Sequence, residues 1–72
     1  MTGSEFQLGE NEFIQLQSLL KFTGLCDSGG EAKTVITGGE VTVDGEVETQ
    51  RGKKIRAGQR VSYRGSTVDV VE

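Results

Sequence analysis

Apolar residues in the stretch NEFIQLQSLLKFTG recur at helical spacing, with Phe13, Leu16 and Leu20 on one face and Ile14 and Leu19 widening it. Asn11 is placed to cap this helix, Glu12 suits the positive end of its dipole, and Gly24 suits a left-handed residue just past its end. A second helix is predicted to start at SGGEAK, where Ser28 caps and Glu31, three positions on, completes a capping box. Ala32, Val35 and Ile36 form its apolar face, and Gly38 and Gly39 stop it. The short link through Leu25, Cys26 and Asp27 predicts an angled or antiparallel helix pair.

Outside the helices the period is two. EFQL, residues 5 to 8, predicts a short strand before Gly9. After Gly39, Val41, Val43 and Val47 are expected on one side of a hairpin that turns at Asp44-Gly45, because glycine accepts the positive φ of a two-residue turn. A second hairpin carries Val61 and Tyr63, turns at Arg64-Gly65 and returns through Val68 and Val70. With no proline, repeat or linker, residues 1–72 are expected to be one α+β domain: two short helices packed on a small, mostly antiparallel sheet.

Composition narrows what such a domain does. A chain of 72 residues encloses one modest core, so a large catalytic pocket is not expected. Histidine is absent and Cys26 is the single cysteine, which removes the common zinc patterns, Ser-His and Cys-His catalytic pairs, and any intramolecular disulfide. Neither a signal sequence nor a membrane-spanning run is read, and the expected setting is the cytoplasm. No cofactor, small-molecule substrate or membrane partner is expected, and the chain is read as a non-enzymatic monomer.

The net charge of −3 conceals a strongly bipolar chain. Residues 1 to 48 hold nine acids against Lys21 and Lys33. Residues 49 to 68 hold Arg51, Lys53, Lys54, Arg56, Arg60 and Arg64 with no acid among them. Six cations within fourteen residues repel one another unless a polyanion or counterions neutralise them. A solvated basic loop is the plainer reading of such a run.

The other candidates are weaker. The acids near Glu10 and Glu12, or Glu46 and Glu48, lack any sign of a pocket that would raise a carboxyl pKa, and are read as solvated. GGEAKT matches neither a P-loop nor a dinucleotide fingerprint, so Gly29 and Gly30 are assigned to helix capping. Cys26 is expected to pack in the inter-helix turn. Phe6, Phe13, Phe22 and Tyr63 are expected mainly in the core, with base stacking the alternative for Tyr63.

Residues 19 to 63 resemble the S4-like RNA-binding domain, or αL motif. Leu20, Gly24, Ser28, Ala32, Ile36, Gly39, Val41, Val43 and Gly45 occupy the positions of the family's pattern, and AGQRVSY fits its closing strand. GGEVTVDG is the most specific part. The length is similar to that of short stand-alone bacterial S4-like proteins, which implies binding without catalysis.

This chain also departs from the family pattern. Gly29 stands where many members have an RNA-facing Arg, which shifts the expected contact to Lys33 one turn later on the same helix face. Asp44 replaces the usual Asn of the turn, and Gln59 stands where Asp is frequent. The resemblance and the charge distribution together lead us to expect that Lys21, Lys33, Arg51, Lys53, Lys54, Arg56 and Arg60 bind structured RNA, ribosomal or transfer, in a ribosome-associated setting. The alternative from another class is a protein-interaction module that docks its basic loop on an acidic partner.

Overall fold

The computed structural model describes residues 2–72. In chain order these form β1 (Thr2–Gln7), β2 (Ile14–Gln15), α1 (Leu16–Phe22), α2 (Gly29–Thr37), β3 (Val41–Val43), β4 (Glu46–Val47), β5 (Lys54–Ile55), β6 (Arg60–Tyr63) and β7 (Ser66–Val71). The main sheet has the order β1-β7-β6-β3-β4, and β2 pairs separately with β5. All pairings are antiparallel except β1 with β7, where Phe6 lies beside Val70. None of the helices among the described residues is long and apolar enough to cross a membrane.

Both predicted hairpin turns form. Asp44 and Gly45 have φ of 53° and 86°, and Arg64 and Gly65 have φ of 51° and 81°, the positive pair that matches the right-handed twist of the flanking strands. The register then decides what is buried. Val41 pairs with Tyr63, Val43 with Val61, and Val61 with Val68, so these side chains share the face that carries the helices.

Val47 departs from expectation: it pairs with Thr42, not with a valine, and is 61% exposed. In a two-residue hairpin, directly opposed residues share a face, so Val47 must lie on the side of Thr42 and away from Val41 and Val43.

The second helix follows its sequence signals closely. The Ser28 hydroxyl accepts the Glu31 N–H at 3.1 Å, while the Glu31 carboxylate accepts the Asp27 N–H at 2.7 Å. Ala32, Val35 and Ile36 are buried, and Gly38 forms the C-cap. The first helix begins later than predicted. Asn11 does not cap it; its amide side chain and its backbone N–H both bond the Leu8 carbonyl at 3.1 Å. Ile14 and Gln15 are extended and pair with Ile55 and Lys54, so α1 starts only at Leu16 and Phe13 lies outside it.

Leu16, Leu19 and Leu20 are the buried stripe of α1, and Gly24 ends the helix with φ of 81°. Phe22, expected in the core, is 67% exposed. At about 100° per residue it falls roughly 120° from the centre of that stripe. Phe6 is half-buried against the core, whereas Tyr63 and Cys26 are inside it, at 6% and 2% exposure.

Candidate nucleic-acid interface

The cationic run does not hang free from the sheet. Backbone N–H groups at the start of a helix have no partner within the helix, and Gln15 supplies no side-chain cap to α1. The run fills that vacancy: the Leu16 N–H donates to the Lys53 carbonyl at 2.9 Å and the Gln17 N–H to the Arg51 carbonyl at 3.1 Å. A turn bond from the Lys53 N–H to the Gln50 carbonyl and the pairing of Ile14 with Ile55 complete the attachment. Ile55 is wholly buried. The basic segment is therefore fixed to the first turn of α1 at both the backbone and the core.

This attachment decides where the side chains go. Lys54 and Arg56 flank the inward-facing Ile55 and so project outward together, and both reach the ring of Phe13. The Lys54 Nζ lies 5.0 Å and the Arg56 Cζ 5.7 Å from the ring centroid. Arg51 is exposed, while Lys53 is half-buried beside a shallow cleft that Asp44, Glu46, Glu48 and Gln59 also line. Lys21 is exposed on α1, one turn beyond Gln17. Lys33 is exposed on α2, which packs on α1.

Among the described residues, none of Lys21, Lys33, Arg51, Lys53, Lys54 and Arg56 forms an ion pair. The other two arginines of the run do. Arg60 Nε meets Asp69 Oδ1 at 2.6 Å, across the strand pair that sets these residues opposite each other. Arg64 meets Glu40 at 3.5 Å and lies 5.3 Å from the Tyr63 ring centroid.

The hydrogen bond from Arg60 holds the Asp69 carboxyl below its ordinary range, and the same bond raises the pKa of the guanidinium. Arg60 also alternates with the buried Val61, which places it on the opposite sheet face from the helices. The structure thus separates Arg60 from the other six candidates.

The acids and amides near the run are structural. Asp44 accepts the Arg60 N–H at 2.9 Å and a bond from Gln59 Nε2 at 3.4 Å, and Gln59 Oε1 accepts the Arg56 N–H at 2.8 Å. These contacts close the loop between β5 and β6 against the hairpin turn. Burial raises the pKa of the Cys26 thiol, with the nearby Glu31 and Asp27 charges adding to the effect. Burial also raises that of Tyr63, against the opposing pull of Arg64.

Two features escaped the sequence reading. The counter-charge on Arg60 was legible in principle, since a two-residue turn at Arg64-Gly65 sets Arg60 opposite Asp69. The ring of Phe13 under two cations was not, because it depends on the pairing of β2 with β5 across the length of the helical region.

Residues 6–71 match the family model of the S4 domain. The putative RNA-binding protein YbcJ of Escherichia coli (strain K12) is 48% identical over 66 residues, covering 92% of this chain and 94% of its own length. An uncharacterized YbcJ of Shigella flexneri is similar to the same extent. The solution structure of E. coli YbcJ, described as revealing an αL motif involved in RNA-binding, matches with a TM-score of 0.74 at 47% identity, over 94% of this chain and 86% of that one. The helix pair on its mixed, mostly antiparallel sheet is that motif.

Proposed function

Because this chain belongs to the S4 domain family, we propose that it binds RNA, and specifically structured RNA of the ribosomal or transfer class, without a catalytic step. The observation that carries the proposal is the sorting of the cations. Arg60 and Arg64 are neutralised by carboxylates, while Lys21 on α1, Lys33 on α2, and Arg51, Lys53, Lys54 and Arg56 on the segment fastened to α1 are left unpaired.

An unpaired cationic surface on a rigid base gains most from a ligand that brings closely spaced negative charge, as a folded RNA backbone does. Lys and Arg spread over two helices and a loop read phosphate spacing and shape more than base sequence. The hydrogen-bonded segment also limits the ordering cost of binding, since its backbone has little freedom left to lose.

The test is titration of a folded transfer RNA, and of duplex DNA of equal charge, at two salt concentrations. Tighter binding of the RNA, abolished by Lys53→Glu with Lys54→Glu, is expected. An unchanged RNA affinity in that double variant overturns this surface as the binding site. Equal weak binding of both nucleic acids would favour an acidic protein as the partner.

A further inference from the structure

Phe13 is half-buried, yet the partly buried hydrophobic residues that pack on the core are Phe6, Ile14 and Leu25. Its ring is covered instead by Lys54 and Arg56, at 5.0 Å and 5.7 Å. The family match covers Phe13 but assigns it no role. A large apolar side chain that contributes little to the core, held on the outside by a two-residue strand and shared by two unpaired cations, has the parts of a nucleotide-binding position.

From this geometry we infer that Phe13, Lys54 and Arg56 form a site for one unpaired nucleotide of the bound RNA, with the base on the Phe13 ring and the flanking phosphates on the two cations. The inference rests on the RNA-binding reading above and adds a specific ligand element to it: a bulged or looped-out base beside a paired stem.

Magnitudes favour the exchange. An exposed cation over a ring contributes about 2- to 5-fold to an equilibrium, so the two together contribute about 4- to 25-fold. A base stacked on an aromatic ring contributes roughly 5- to 150-fold. When RNA arrives, Lys54 and Arg56 trade the weak field of the ring for phosphate oxygens, and the ring trades two cations for a base. Lys54 in β5 and Arg56 just after it project to one side, so a short rotation of each side chain is enough. Glu12 precedes Phe13 but pairs with neither cation. It lines a shallow depression together with Arg56 and Glu72, so its charge bears on the Arg56 side of the site.

The experiment compares a synthetic RNA hairpin, its strands joined by a non-nucleotide linker in place of a loop and carrying a one-nucleotide bulge, with the same hairpin fully paired. The wild-type protein is expected to bind the bulged hairpin at least 5-fold more tightly. Phe13→Leu is expected to erase that preference by weakening the bulged hairpin more than the paired one, and Phe13→Tyr to retain it. With 5-iodouridine at the bulge, irradiation is expected to crosslink the RNA to Phe13, a readout that a purely structural role would not give. Thermal melting of Phe13→Leu establishes that the variant is folded.

Binding of both hairpins without preference, or a preference that survives in folded Phe13→Leu, overturns the nucleotide site and leaves the RNA reading standing. An equal loss on both hairpins in Phe13→Leu makes the ring a support for Lys54 and Arg56, and also overturns the site. Binding of neither hairpin or transfer RNA by the wild-type protein overturns both readings.

Discussion

The division of cations into paired and unpaired makes a quantitative prediction about salt. Each phosphate neutralised on binding contributes about 0.7 to 0.9 to the slope of log affinity against log salt. If each of the six unpaired cations meets one phosphate, the slope is about −4.2 to −5.4. Between 50 and 200 mM salt the affinity for a folded RNA then falls about 300- to 1,800-fold.

Replacing Arg51, Lys53 and Lys54 with alanine removes half of the unpaired set, and the same interval should then cost only about 20- to 40-fold. Arg60→Ala combined with Arg64→Ala removes two formal charges against three, from groups already matched by Asp69 and Glu40. Its slope should remain close to that of the wild type. Fluorescence anisotropy of a labelled RNA across four or five salt concentrations measures all three slopes. Slope reductions in proportion to the charges removed, three against two, would refute the reasoning, because net charge rather than unpaired charge would then set the binding.

Other predictions concern the scaffold. Ile55 is completely buried and anchors the basic segment, so Ile55→Ala should lower unfolding free energy by about 2–5 kcal/mol in urea denaturation, whereas Val47→Thr at its exposed position should change it by less than about 0.5 kcal/mol. Cys26 has its pKa raised by burial, so the folded chain keeps this proton to higher pH than the unfolded chain does. Its contribution is therefore intact below the unfolded thiol value of about 8.5 and is lost as pH rises beyond it. The fall in stability from pH 8 to 9.5 should be smaller in Cys26→Ala, measured by denaturation at each pH. In the wild-type protein a maleimide should label the thiol only at the rate of unfolding.

Both turns and the second helix depend on contacts among residues close in sequence, and so were legible there. Ser28 and Glu31 are three apart, and Asp44-Gly45 and Arg64-Gly65 fix their turns through their own backbone preferences. Apolar alternation then identified Val41, Val43, Val61, Tyr63, Val68 and Val70 as core. Val47 was also decidable, had the pairing across the turn been followed through.

The start of α1 was not legible. Phe13 continues the helical spacing of Leu16 and Leu20, and only pairing of Ile14 with Ile55, forty-one positions away, draws the chain out of the helix there.

The sequence by itself therefore determined the family motif, the helix pair with its two hairpins and the concentration of cations, since each is a local pattern or a composition. The register of the last hairpin already sets Arg60 against Asp69, and tertiary structure decided the rest of which cations are available. Arg60 and Arg64 are matched by Asp69 and Glu40, which the folded sheet brings near, while Arg51, Lys53, Lys54 and Arg56 are carried to the start of α1 by backbone bonds to Leu16 and Gln17. A linear charge count cannot contain that distinction, because a pair forms by distance in space and charges far apart along the chain become neighbours only when the chain folds.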